Sequence, residues 1–467
     1  MTLDVTTTIA AIATPSGMGA IAVIRLSGSS AIEITDSIFR PVRKGKSLAK
    51  QSAYTIHYGS IVDGNREVDQ VLVSLFKAPH SYTGEDVVEI SCHGSVVVQQ
   101  QLLELLVRHG AQLAKPGEFT LRAFMNGKID LSQAEAIADL IASTSETARR
   151  VALNQMRGGI SGKLAELRSE LLRFTAMVEL ELDFSDEDVE FADRGQLKNL
   201  IKSIIAEIDT LSDSFSQGNA IKSGIPVTIA GKPNVGKSTL LNRLLNEEKA
   251  IVSEIAGTTR DAIEDTIHLG GINFRFIDTA GLRKTDDTIE SLGIERAIAK
   301  IEKARIVLYL IDSQCDANSI EGEVEAFIKK LTASQNLIIL VNKEDKSPQQ
   351  HVETVLGKLK EKGFNALAIS AKAGHNIEQL QQLLIAIGKT DMPENEDVII
   401  TNIRHYNALQ SARTSLMQVL NGLHANLSGD LLTVDIYEAI NYLGEITGEI
   451  SNKDVLDFIF SKFCIGK

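Results

Sequence analysis

The sequence predicts a multidomain fold: an α+β domain over residues 1–125, an all-α domain split between 126–221 and 387–467, and an α/β domain over 222–386 inserted between its halves. Three observations predict it. Residues 8–125 mix short strand-like and helix-like runs, whereas 132–217 and 401–460 carry apolar residues at helical spacing over long stretches. The middle alternates apolar strands with amphipathic helices, and it contains Gly231-Lys232-Pro233-Asn234-Val235-Gly236-Lys237-Ser238 followed by Thr239. Two glycines ending in Gly-Lys-Ser, with a strand before and a helix after, form a phosphate loop in its required context.

In the first domain, residues 8–13 and 20–25 read as strands around a Gly17-Met18-Gly19 turn, 68–76 and 87–91 as two more, and 29–39 and 96–109 as helices. Tyr82-Thr83-Gly84-Glu85-Asp86 and Ser91-Cys92-His93-Gly94 read as turns in preference to a ligand rim. Adjacent residues on a strand face opposite ways, so Cys92 and His93 do not read as a thiol–imidazole pair. Helical spacing follows over 134–142, 160–182 and 197–211, with an acidic break at 183–188 that reads as a solvated loop, since it lacks calcium-loop spacing. Beyond the inserted domain, 401–425 and 431–460 return to helical spacing and can pack on the earlier helices.

A chain of 467 residues supports several cores. The net charge of −13 and pI near 5.3 oppose a protein that wraps nucleic acid with its whole surface, so any RNA contact is local. Three cysteines, Cys92, Cys315 and Cys464, form no paired framework, which suits a reducing compartment. No apolar run reaches membrane-spanning length, and the N-terminus lacks a secretion signal; the expectation is a cytoplasmic protein that avoids membranes.

The phosphate loop sets the chemistry. Backbone N–H groups of Asn234, Val235, Gly236 and their neighbours can wrap phosphates at a helix N-terminus, Lys237 can reach the terminal phosphates, and the Ser238 hydroxyl can ligate Mg2+. Asn342-Lys343-Glu344-Asp345 follows the apolar strand 337–341, where Asp345 can accept the ring N–H and exocyclic amine of guanine while Asn342 and Lys343 brace the site. Ser370-Ala371-Lys372, after strand 367–369, supplies the remaining wall. Together they select GTP. Thr259, in Gly257-Thr258-Thr259-Arg260-Asp261, can reach Mg2+ when a γ-phosphate holds its loop inward, and in Asp278-Thr279-Ala280-Gly281 the carboxylate positions the Mg2+ shell while the Gly281 N–H senses the γ-phosphate.

Leu282 stands where a Ras-type enzyme orients water with glutamine, so hydrolysis needs another water holder. Glu290 is a candidate base, Asn234 can help fix a monovalent cation, and Arg260 and Arg283 compete as charge stabilisers.

These residues resemble the MnmE (TrmE) family of bacterial tRNA wobble-uridine modification GTPases. The resemblance spans the chain: Ala13-Thr14-Pro15 with residues 19–28, Tyr82-Thr83-Gly84-Glu85-Asp86, Pro116-Gly117-Glu118-Phe119-Thr120, Gln133-Ala134-Glu135-Ala136-Ile137, the nucleotide motifs, and Cys464-Ile465-Gly466-Lys467. It implies a homodimer with a folate-binding N-terminal domain, a discontinuous helical domain and an inserted P-loop GTPase domain. It further implies that the flavoprotein MnmG is a partner in adding a 5-carboxymethylaminomethyl or aminomethyl group to tRNA, with the carbon carried by 5,10-methylene-tetrahydrofolate. The resemblance makes hydrolysis potassium-dependent: Asn234 ligates K+, the loop through Ser253, Ile255 and Thr258 contributes further oxygens beside the nucleotide, and Glu290 orients the attacking water. Arg25, Glu89, Lys128 and Lys467 match folate-contacting positions, and Cys464 matches the terminal cysteine, with a covalent role as one reading and a small packed thiol as the other. The competing function is a GTP-dependent assembly or ribosome-associated switch without modification activity.

Overall fold

The computed structural model describes residues 7–43, 45–183, 194–249, 265–277, 304–329, 331–332, 335–390, 398–425, 427–450, 453–464 and 466. They form two compact units, one of residues 1–138, 155–202 and 411–467, the other of 139–154 and 203–410.

The first unit is built on a seven-stranded sheet of β1 (Ile9–Ile12), β2 (Ile21–Ser27), β3 (Phe39–Pro41), β4 (Thr55–Asp63), β5 (Arg66–Phe76), β6 (Val87–His93) and β7 (Gln112–Leu113), ordered β3-β4-β5-β6-β2-β1-β7. Its pairs are antiparallel except β1 with β7. Alternation decides the faces. Ala22, Ile24 and Leu26 on β2, Val88, Ile90 and Cys92 on β6, and Val71, Val73 and Leu75 on β5 point into one core, closed by helices Ala31–Ile38 and Val96–Arg108. Each Val, Ile or Leu among them contributes about 1.5–3 kcal/mol by leaving water. β2 and β6 pair Arg25 with Glu89, whose neighbours Ala22 and Cys92, Ile24 and Ile90 alternate toward the core, so Arg25 and Glu89 share the opposite face.

The helical part of this unit packs Gly159–Asp183 against Gly429–Thr447. Arg168 reaches the Ile440 carbonyl (3.3 Å) and pairs with Glu449. Gly444 lets it pass, since a Cβ there would press on the guanidinium at 3.3 Å. The spacing over 431–460 predicts a continuous helical pattern, but Gly448 sits at φ +83° as a left-handed cap whose N–H donates to the Gly444 carbonyl, and a second helix starts at Lys453–Ser461. Helix Arg194–Ser223 also runs beyond residue 211, where the apolar spacing fades.

The second unit holds β8 (Ile225–Gly231), β9 (Asp265–Leu269), β10 (Ile272–Phe276), β11 (Ile306–Asp312), β12 (Asn336–Asn342) and β13 (Asn365–Ile369), ordered β13-β12-β11-β8-β10-β9. All pairs are parallel except β9 with β10. Ile306, Leu308 and Leu310 of β11 enter one core and Val307, Tyr309 and Ile311 the other, so this sheet is covered on both faces. The chain leaves β8 toward β10 and returns to β11 on its other side, which makes the carboxyl end of β8 the topological switch point where ligands bind in open α/β sheets. No helix among the described residues is long and apolar enough to cross a membrane.

Candidate functional site

Strand β8 ends in the phosphate loop, and helix Lys237–Lys249 begins at its lysine. Three residues bend the loop through left-handed backbone: Gly231 (φ +140°), Asn234 (φ +61°) and Gly236 (φ +102°). At Gly231 a Cβ would strike the Leu310 carbonyl of β11, and at Gly236 it would strike the Asn342 amide, so both positions require glycine for space as well as for conformation. Lys237 curls over the loop, its Nζ donating to the carbonyls of Gly231 (2.8 Å) and Lys232 (2.7 Å). Ser238 follows it in the first turn of the helix and Thr239 is exposed. This is a cradle of backbone N–H groups at a helix N-terminus, and it fits a nucleotide's phosphates.

Asn342 at the end of β12 is buried and bonds in two directions, donating Nδ2–H to the Val235 carbonyl (2.7 Å) and accepting the Ala371 N–H on Oδ1 (3.0 Å). Lys343, at φ +66°, donates to Asp312 of β11 (2.6 Å). Burial pushes the Asp312 carboxyl up, but the Lys343 ammonium and the Gln314 N–H outweigh it and hold the group below its ordinary value. Asp345 accepts the Ser370 hydroxyl (2.6 Å), a bond that lowers its pKa and keeps it ionised as an acceptor. Asn342, Lys343, Asp345, Ser370 and Ala371 are thus brought together with Val235 and Gly236 of the phosphate loop.

Two supports of this site carry no sequence signal of their own. Arg243, on the helix after the phosphate loop, donates to the carbonyls of Ala371 (3.4 Å) and Lys372 (2.7 Å), tying the 370–372 wall to that helix. Lys232 pairs with Glu323 (2.6 Å), which also accepts the Tyr309 hydroxyl (2.7 Å). Ser253, Ile255, Thr258, Thr259, Arg260, Asp278, Gly281, Leu282, Arg283 and Glu290 lie outside the described residues, as does the acidic run over 184–188.

The first unit holds the other candidate group. Arg25 and Glu89, paired across β2 and β6, form an ion pair at 2.8 Å, and Arg25 also donates to the Gly466 carbonyl (3.4 Å). Its guanidinium lies 5.4 Å from the Tyr82 ring centre and 5.8 Å from that of Phe119. Burial raises the Tyr82 pKa, so the phenol stays neutral and bonds Thr120 (2.9 Å). Phe119 is fully buried, so the polar groups and partly exposed ring that could meet a flat heterocycle here are Arg25, Glu89 and Tyr82, with Arg25 already bonded to Glu89 and Gly466. Lys128 is engaged elsewhere, donating to the Pro79 carbonyl (3.0 Å), and Lys467 lies outside the described residues. Cys464 is exposed, and its carbonyl accepts the Gly117 N–H (3.3 Å).

Sequence reasoning also misses what the motifs at 82–86 and 116–120 do. Arg122, 1% exposed, bonds Glu85 (3.2 Å), Glu118 (3.0 Å) and the Thr7 carbonyl (2.7 Å), while Glu85 accepts the Ser27 hydroxyl (2.6 Å). The two motifs are halves of one buried ion network. Cys92 is buried, which with the charge of Asp69 pushes its thiol up to about 11, whereas exposed His93 pairs with Asp69 (2.7 Å).

Comparison with known proteins matches residues 8–128 to the family model "GTP-binding protein TrmE N-terminus" and residues 131–464 to "MnmE helical domain". The chain is 52% identical over 462 residues to a Flavobacterium johnsoniae protein described as tRNA modification GTPase MnmE, covering 98% of this chain and 99% of that one. It is 53% identical over 463 residues to a Bacteroides fragilis protein of the same description, again covering 98% and 99%.

Proposed function

Since the chain belongs to the MnmE (TrmE) family of tRNA modification GTPases, we propose that it binds guanine nucleotide with residues 231–239, Thr259, Asp278, Gly281, Asn342, Lys343, Asp345 and residues 370–372, and hydrolyses GTP in the course of modifying wobble uridine. The observation that carries this reading is Asn342, which links the phosphate cradle to the wall that holds Asp345. In it Asp345 accepts from guanine, Lys237 and the loop N–H groups hold the phosphates, and Ser238 with Thr259 holds Mg2+, which supplies charge neutralisation on the phosphates when bound. Asn234, Ser253, Ile255 and Thr258 hold K+ in place of an arginine finger, and Glu290 orients water.

The functional divisions are residues 1–125, 126–221, 222–386 and 387–467. In the first, Arg25 and Glu89, with Lys128 and Lys467, receive a reduced folate such as 5,10-methylene-tetrahydrofolate; the Arg25–Glu89 ion pair beside the Tyr82 ring supports this. The folate supplies the one-carbon unit, and Cys464, exposed beside this region, is the candidate thiol. The chain works in the cytoplasm as a homodimer with the flavoprotein MnmG to install the 5-carboxymethylaminomethyl or aminomethyl group. Nucleoside mass spectrometry of tRNA from cells lacking the chain tests the reading: loss of the wobble modification, restored by the intact gene, supports it, and intact modification favours a GTP-dependent assembly switch. Calorimetry with formyl-tetrahydrofolate, run at two temperatures, tests the folate part, since no binding by the dimer under reducing conditions rejects it.

A further inference from the structure

The segment Arg40-Pro41-Val42-Arg43-Lys44-Gly45-Lys46-Ser47-Leu48-Ala49-Lys50 carries five cations and no carboxylate, within a chain whose net charge is −13. The fold sets its described part at an edge. β3 is the terminal strand of the seven-stranded sheet, and Arg40 on it lies opposite Ser60 of β4. Arg40 donates to the Gly64 carbonyl of the β4–β5 hairpin (2.7 Å), which brings it beside Arg66, the residue opposite Asp63. At the other end, Lys46 lies close enough to β4 that its charge, after burial, helps hold the His57 imidazole below its ordinary pKa. From His57 to Asp63 the strand advances by six residue steps, roughly 20 Å at strand rise. Arg40, Arg43, Lys46, Lys50 and Arg66 are all exposed.

Two of the carboxylates near the edge, Asp36 and Asp63, are engaged by other groups, while Glu67 beside Arg66 is exposed. Asp36 accepts the Ser47 hydroxyl (2.6 Å) and the Leu48 N–H (2.7 Å), which fixes the loop, and Asp63 is bound by Arg108 (2.7 Å). Among the described residues, no salt bridge involves Arg40, Arg43, Lys46, Lys50 or Arg66, and the charge of Arg66 reaches Asp63 only at longer range. Five exposed charges of one sign on this segment and the neighbouring hairpin repel one another, and a polyanion relieves that repulsion while releasing its own counterions.

We propose that this edge, Arg40, Arg43, Lys46, Lys50 and Arg66, is a docking surface for the sugar–phosphate backbone of tRNA, an inference that rests on the reading of function above. The contact is to phosphate, so it positions the RNA and carries no base specificity. A competing role for edge cations is to keep neighbouring sheets from pairing with β3. The two separate under test.

The full-length protein is titrated into fluorescently labelled, unmodified tRNA across a salt series, as wild type, as R43E/K46E/K50E and as R43K/K46R/K50R. The charge-reversed variant is expected to bind at least tenfold more weakly at low salt, with the slope of log affinity against log salt reduced by two to three, while GTP hydrolysis is unchanged and the conservative variant binds as wild type. Wild-type affinity and slope in the reversed variant overturn the proposal, as does new self-association without loss of tRNA binding. Retention of wild type on anionic vesicles with no binding of tRNA also overturns it. The functional reading fails separately, by intact wobble modification in cells lacking the chain; if that modification is lost while the reversed variant binds tRNA normally, the docking surface alone falls.

Discussion

Asn342 and Val235, 107 residues apart, are joined by a 2.7 Å hydrogen bond from the buried amide to the phosphate-loop carbonyl, and the same amide accepts the Ala371 N–H. Phosphate cradle and base wall therefore share one side chain. Removing it in Asn342→Ala leaves a buried carbonyl and a buried N–H unpaired, each costing about 1–3 kcal/mol. Affinity for fluorescent GDP should fall roughly tenfold or more, and Gly236→Ala should do the same because its methyl collides with that amide. Unchanged affinity in both variants would separate the two halves of the site.

Asp345→Asn replaces a carboxylate acceptor by an amide that presents donors. One charge-assisted bond of about 1.5–3 kcal/mol is lost to guanine, so GTP should bind about tenfold or more weakly while xanthosine triphosphate gains. A competition assay reads the switch, and retained guanine preference removes Asp345 from base recognition.

Hydrolysis by a cation-assisted mechanism should be faster in potassium than in sodium, and Glu290→Ala should lower turnover by about 10²–10⁴ with nucleotide binding preserved. Phosphate release in the two salts decides the first point. Equal rates reject the cation.

The cysteines should differ in reactivity. A thiol pushed up to about 11 is only about one part in a thousand thiolate at pH 8, and Cys92 is also buried, so native Cys92 should resist iodoacetamide until the pH approaches that value or the protein unfolds. Cys464 is exposed and should label first. Peptide mapping after brief labelling distinguishes them, and early labelling of Cys92 contradicts its burial.

Arg122→Met should be strongly destabilising, by about 3–5 kcal/mol, because Glu85 and Glu118 lose the guanidinium that compensates them in the interior. Thermal unfolding measures this. A triple change that also makes both glutamates glutamine should recover part of the loss, since the uncompensated charges are then gone.

The phosphate loop and the guanine motif were legible because each demand falls on consecutive residues: glycine where the chain must turn without a Cβ, then lysine and serine at a helix start. β4 was not, because Ile56 and Tyr58 place apolar side chains on its exposed face, 67% and 53% accessible, which blurs the alternation that marks a strand. Helix Arg194–Ser223 runs past residue 211 through Gly218, where a Cβ would strike the Ile400 carbonyl, a contact with a distant segment that the local spacing does not show. The roles of Arg122, Arg243 and Glu323 depend on such contacts too. Their residue types are ordinary in sequence and become meaningful through what they touch.

Arg25 and the Gly466 carbonyl that it binds are 441 residues apart. At about 5–20 residues per second of synthesis, roughly 20–90 s separates the emergence of the two from the ribosome. Through that interval the sheet can pair β1, β2, β4, β5 and β6 with near neighbours, while Leu121 and Phe124 wait for the cover that Ile459, Phe460 and Phe463 provide. The N-terminal domain is thus first made and last finished, and during every round of translation it presents an apolar face that chaperones, or a premature partner, can reach before its own distant segment does.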